Sequence, residues 1–238
     1  MIMTSYLKQN NKLAYMTVCS FLLITISGYM TLIYAPQEII MGDVQRLFYY
    51  HVASGWIGAL AFFITLIASI LFLITKHEKY DLIAMSSAEI GVVFISMNII
   101  SGSIWARPVW NTWWTWDPRL TTATIMWLLY IAYLFLHTGL ENHHRRAHIT
   151  SVYGIVAFVS VPLTFAAIRI WRTIHPVVIG SSDPNAEGQF DMTSKMTTTL
   201  LFTVATFTIL YCTLIWHRIR IQQMQISLSK IYSHQIGN

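Results

Sequence analysis

Six stretches of this chain run for about 20 residues each with almost no charge, and that is the length of helix a hydrocarbon core of ~30 Å demands. They cover residues 13–35, 52–75, 82–105, 120–140, 149–168 and 196–216, the third interrupted only by Glu89. A bilayer offers no water to peptide N–H and C=O groups, so each stretch must be helical to satisfy its own backbone. Composition agrees: 55% of the 238 residues are hydrophobic and 11% are charged, whereas soluble domains carry about a quarter. The expected fold is all-α, an integral membrane bundle of six transmembrane helices forming a single membrane domain over residues 1–238. Cys19 and Cys212, the two cysteines, both fall in apolar stretches, which excludes a disulfide scaffold. A cleavable signal peptide is the competing reading of the first stretch, which follows Lys8 and Lys12. Its apolar length exceeds an ordinary signal core and no small-x-small site precedes Pro36, so it reads as the first transmembrane helix.

Basic residues orient the bundle. With the N-terminus inside, nine fall on the inner side (Lys8, Lys12, Lys76, Lys79, Arg145, Arg146, Arg218, Arg220, Lys230) and six on the outer (Arg46, Arg107, Arg119, Arg169, Arg172, Lys195). The positive-inside rule then predicts both termini on the cytoplasmic side. The net charge of +5 is an inner-loop bias and points to no nucleic-acid surface. Six crossings put residues 35–50, 107–119 and 169–195 on the outer face, the last being the longest loop.

Unusual residues collect on that face. Five of the nine tryptophans, Trp105, Trp110, Trp113, Trp114 and Trp116, lie within twelve positions. Tryptophan at the headgroup level is ordinary in membrane proteins, but such a belt is scattered over all helix ends, whereas here Trp56, Trp127, Trp171 and Trp216 stand alone. Five indoles in one loop suit a flat, apolar partner. Arg107 and Arg119 bracket the run and can pair with carboxylates. A planar apolar ligand with carboxylates describes haem. Histidines give an independent test: of nine, only His51 and His175 are outside, one at the start of the second span and one just past the fifth. Two imidazoles on opposite faces of a macrocycle are a standard axial arrangement for haem iron.

The run Thr112-Trp113-Trp114-Thr115-Trp116-Asp117-Pro118-Arg119-Leu120-Thr121 resembles the tryptophan-rich WWD motif of haem-handling membrane proteins. Its Arg-Leu-Thr ending resembles that of the CcmC family of cytochrome c maturation; larger WWD proteins usually carry an acidic residue where Leu120 stands. Two further segments agree, Gly42 to Val52 around His51, and Trp171-Arg172-Thr173-Ile174-His175. With six spans and matching length, the resemblance covers nearly the whole chain. It implies a protein of the bacterial cytoplasmic (inner) membrane, or its mitochondrial counterpart, that binds haem b at the outer face. His51 and His175 would be the axial iron ligands. The loop 105–121, with Trp105, Arg107, Trp110, Trp113, Trp114, Trp116, Asp117 and Arg119, would hold the macrocycle together with Trp171. The implied partners are the haem chaperone CcmE, the ATP-binding cassette pair CcmA and CcmB, and the small CcmD, besides membrane lipid.

Departures from the family pattern are local. Ala106 and Asn111 stand where Gly is common; Asn111 suits a left-handed turn, and Ala106 requires a negative φ. Ala53 replaces a common Pro, and Pro176 a polar residue. Asp117 is expected to organise the loop by accepting backbone or indole N–H bonds, since a carboxylate placed against propionates would repel them. Glu89, a carboxylate within a span, is a functional candidate by default; its structural reading is a protonated or paired side chain facing Ser or Asn of a neighbouring helix. The cluster His143-His144-Arg145-Arg146-Ala147-His148 reads as a solvated inner loop rather than a metal site, and Pro162 as a kink in the helix that delivers His175. No phosphate-binding Gly-rich loop or Ser/His/Asp arrangement occurs, so no enzymatic activity and no ATPase is expected of this chain. The alternative function, a cytochrome b-like electron-transfer subunit, needs histidine pairs at two depths, and the largely apolar spans do not suggest a haem channel.

Overall fold

The computed structural model describes residues 2–38, 41–171, 173–175 and 192–236, and its regular elements are all helices. Helix α1 (Ile2–Tyr29) runs on into a π-helical turn, Met30–Tyr34. Then follow α2 (Gln45–Thr75), α3 (Glu78–Trp110), α4 (Pro118–Gly139), α5 (His143–Ala157), α6 (Ser160–Ile170) and α7 (Ser194–Ile236). Taking α5 and α6 as one crossing, six helices among the described residues are long and apolar enough to span a membrane. Residues 176–191 and Arg172, most of the expected long outer loop and including Pro176, lie outside the described residues.

Local chemistry ends these helices. Lys76 turns left-handed (φ 57°) to close α2, and the side chains of His77 and Asn142 cap α3 and α5 by accepting from the N–H groups of Lys79 and Arg145. Pro162 has no N–H for the carbonyl one turn back, and the fifth crossing breaks at Phe158–Val159, resuming as α6.

The α2–α3 hairpin is the centre of the bundle, with α7 on one side and α1 beyond it, and with α4, α5 and α6 on the other. A Cβ on Gly58 would stand 2.2 Å from Ile95 Cδ1, so glycine is what lets α2 and α3 approach there. Phe62 of α2 stacks on Tyr130 of α4 with ring centres 3.4 Å apart. Between α1 and α7, hydroxyls pair directly: Ser20 with Thr213 at 2.8 Å and Ser27 with Thr203 at 3.0 Å. Lipid is as apolar as leucine, so small and polar contacts rather than hydrophobicity join such helices. Large apolar side chains such as Phe21, Ile74 and Phe135 face outward.

Two charged clusters differ from expectation. Glu89 is paired, but its partner is an arginine rather than Ser or Asn: Arg218 of α7 grips it, Nη2 donating to Oε1 at 2.7 Å and Nε to Oε2. The helix α7 continues well beyond Trp216, which carries Arg218 alongside α3 and gives the membrane carboxylate an opposite charge. The segment from His143 is not a loop but the first turn of α5, and Arg146 reaches the buried Asp81 at 3.7 Å, which His137 also meets at 3.3 Å. The side chains of His143 and His144 lie outside the described residues.

Candidate functional site

The tryptophan run is not one loop. Trp105, Arg107 and Trp110 ride the last turns of α3, residues 111–117 form the turn, and Pro118 opens α4. The helix persists through Ala106 because that residue is buried with negative φ: the non-glycine residues with positive φ are Lys76 and Asn111 among the described residues. Asn111, at φ 55°, stops α3. Arg107 Nη1 donates to the Asn111 carbonyl at 2.6 Å and to its Oδ1 at 2.7 Å, so this guanidinium caps the helix end, where a positive charge meets the negative end of the helix dipole.

Beside this turn lies a cavity of about 430 Å³, within the range of small-molecule sites. Of the residues singled out in the sequence, His51, Trp105, Trp110, Trp113, Trp114, Arg119 and His175 line it, while Arg107, Trp116, Asp117 and Trp171 stand outside the lining. Trp105 meets Trp110 edge to face at 5.2 Å, and Trp114 meets Trp116 likewise at 5.9 Å. Sequence reasoning missed other lining residues, among them Trp56, Asn98, Gly102, Phe165 and Arg169. The spacing of Asn98, Ser101 and Gly102, polar and small at i, i+3 and i+4 of an apolar span, was the available signal.

His51 sits inside α2, since that helix begins at Gln45. Its Nδ1 lies 2.9 Å from the Asn98 carbonyl and 3.2 Å from Ser101 Oγ, and Asn98 Nδ2 donates back to the His51 carbonyl at 2.8 Å. A carbonyl only accepts, so this bond favours the proton on Nδ1 and leaves Nε2 with its lone pair for a ligand. A Cβ on Gly102 would stand 2.8 Å from His51 Cε1, and one on Gly55 would stand 2.9 Å from Asn98 Nδ2. Both glycines make room for the histidine and its holder.

Across from His51 stands His175, ring centres 6.4 Å apart and planes inclined at 35°. Two metal–nitrogen bonds of about 2.0 Å, plus ~1.1 Å from each nitrogen to its ring centre, would separate two axial imidazoles by about 6.2 Å. Among the described residues no group of three or more His, Cys, Asp or Glu could hold a metal ion. The remaining wall suits a macrocyclic guest. Arg119 donates from Nη1 to the Thr164 carbonyl and lies over the Phe165 ring at 4.8 Å, which fixes a charge at the cavity edge. The buried indole N–H of Trp105 has no hydrogen-bond partner among the described residues, leaving a donor for a guest.

The heme exporter protein C (CcmC) family model matches residues 3–232 of the chain. Heme exporter protein C of Bradyrhizobium diazoefficiens is 26% identical over 234 residues, covering 94% of this chain and 87% of that protein. The protein of the same name from Paracoccus denitrificans is 29% identical over 212 residues, covering 89% and 86%. A cytochrome c biosynthesis ccmC-like mitochondrial protein of Marchantia polymorpha is 29% identical over 147 residues, and the chain spans 62% of its length. The chain belongs to the heme exporter protein C family, as a multi-pass membrane component of haem transport in cytochrome c biogenesis.

Proposed function

We propose that this chain binds haem b at the outer face of the bacterial inner membrane, between His51 and His175, and presents it to the haem chaperone CcmE. The observation behind this is the imidazole pair, 6.4 Å between centres, at the tryptophan-walled cavity. His51 and His175 would hold the iron of the bound macrocycle, and the surrounding residues would hold the macrocycle itself. His51 offers Nε2 from a rigid helix, and Trp105, Trp110, Trp113 and Trp114 offer indole surface. Arg119 and Arg169 offer positive charge for the propionate carboxylates. The exposure of Trp113 (59%) and Trp116 (76%) leaves an aromatic rim for the acceptor to meet. Release of the loaded chaperone falls to CcmA and CcmB with CcmD, a reading supported by membership of the heme exporter protein C family.

A cytochrome b-like subunit would need a second ligand pair at another depth. Instead His137 meets Asp81, His217 meets Thr17 and His77 caps α3. The test is the optical spectrum and haem content of purified wild type, His51→Ala and His175→Ala, together with covalent loading of CcmE in the same membranes. Each substitution is expected to abolish the six-coordinate low-spin spectrum and to block loading, with His148→Ala as the neutral control. A wild-type spectrum and normal loading in both variants would overturn the proposal.

A further inference from the structure

Asp117 reaches from the start of α4 to the segment that follows α6. Its Oδ1 accepts from the Arg119 N–H at 2.9 Å and from the Thr173 hydroxyl at 2.6 Å, and its Oδ2 accepts from the Ile174 N–H at 3.0 Å. Thr173 Oγ1 in turn accepts from the His175 N–H at 3.1 Å. One carboxylate thus joins three consecutive residues to the tryptophan turn, and the third bears the imidazole that stands across from His51.

His51 needs no such device, because α2 holds its backbone and Asn98 holds its ring. Residues 173–175 follow the end of α6 at Ile170 and carry no helical backbone. What a helix does for the first histidine, Asp117 does for the second. The chemistry also explains why an aspartate stands here. An ionised carboxylate is acceptor-only with two oxygens, so it takes all three donors; an asparagine has a single acceptor oxygen and must release at least one. Asp117 stands outside the cavity lining, which keeps its charge away from a guest bearing carboxylates.

We infer that Asp117 is a positioning residue for His175: it sets the distance between the two imidazoles and couples the tryptophan turn to the second ligand. This role rests on the ligation proposed above and goes beyond it, because it assigns the aspartate to a ligand and not to the macrocycle or the docking surface. Losing charge-assisted bonds to the segment should shift the balance between ligated and unligated His175 by about ten- to hundredfold.

The experiment uses full-length protein purified from membranes that supply haem, and reads haem per protein and spin state. The variants are Asp117→Ala, Asp117→Asn, Thr173→Val, His175→Ala and the doubles Asp117→Ala/His175→Ala and Asp117→Ala/His51→Ala, each with and without added imidazole. Asp117→Ala should give the five-coordinate spectrum of His175→Ala, and imidazole should restore the low-spin form in both. The double with His175→Ala should look like His175→Ala alone, whereas the double with His51→Ala should lose both axial ligands. Asp117→Asn and Thr173→Val should show mixtures of the two forms. Should Asp117→Ala lose its haem altogether, Thr173→Val decides: a mixed spectrum sustains the role, and a wild-type spectrum overturns it. A wild-type spectrum in Asp117→Ala also overturns it. If His175→Ala itself keeps a wild-type spectrum, the ligation fails instead, and the two failures are thereby distinguished.

Discussion

Gly102→Ala tests the seating of His51 with a single methyl group. The added Cβ would lie 2.8 Å from His51 Cε1, 3.3 Å from Nδ1 and 3.8 Å from Nε2. Carbon atoms pack at about 3.5 Å or more, so the ring must retreat by about 0.7 Å. Its Nδ1 is bonded at 2.9 Å to the Asn98 carbonyl, one turn earlier on the same helix as Gly102, so a retreat from α3 stretches that bond or tilts the imidazole. Overpacking of this kind costs about 1–3 kcal/mol. Ligand sites tolerate displacements of only ~0.5 Å, so iron ligation should suffer more than folding does. The assay is haem per protein and spin state of purified Gly102→Ala, with thermal stability in detergent measured alongside. The expected outcome is a folded protein with several-fold less haem and a weakened low-spin signal. Gly139→Ala, where an added Cβ meets nothing within 4 Å, should behave as wild type. Wild-type haem content and spectrum in Gly102→Ala would refute the reasoning.

The two arginines of the motif should separate, because Arg119 lines the cavity while Arg107 caps α3. Haem titration should show Arg119→Ala weakening binding by about 1–3 kcal/mol with Arg119→Lys between it and wild type, and Arg107→Ala losing thermal stability more than haem affinity. Glu89→Leu should destabilise the purified protein by about 1–2 kcal/mol, since its Arg218 partner is then left uncompensated, while Glu89→Leu/Arg218→Leu should recover most of that loss in a melting assay; the pair is a quarter to a third exposed, which tempers the cost. In a Cys19→Ser/Cys212→Ser background, a cysteine at Thr112 should react with an impermeant thiol reagent added outside and one at Asn142 should not; the reverse pattern would invert the orientation.

Hydropathy made the six crossings legible, because an apolar run of that length has no other use for its backbone hydrogen bonds. Helix ends were less legible: α3 begins at Glu78 and α7 runs to Ile236, since polar residues at the membrane edge remain helical without raising hydropathy. Tryptophan density pointed to the turn that borders the cavity, and His51 and His175, singled out separately in the sequence, line the same cavity. The sorting of Trp105, Trp110, Trp113 and Trp114 into the cavity and Trp116 out of it depends on how the α3 cap at Asn111 aims the chain, a matter of backbone angles. Asn98 and Gly102 acquire meaning only once the register of α2 against α3 sets them against His51. Asp117 was legible as an acceptor of backbone bonds, but its partner segment lies 56 residues away, and no local pattern announces that contact.

The most direct measurement of the central claim is the electron paramagnetic resonance spectrum of the purified ferric protein, compared with those of His51→Ala and His175→Ala. Two imidazoles on one iron give a low-spin signal, and removing either should convert it to a high-spin one that added imidazole reverses. A high-spin wild type, or a low-spin signal unchanged in both variants, would contradict the claim that His51 and His175 hold the haem between them.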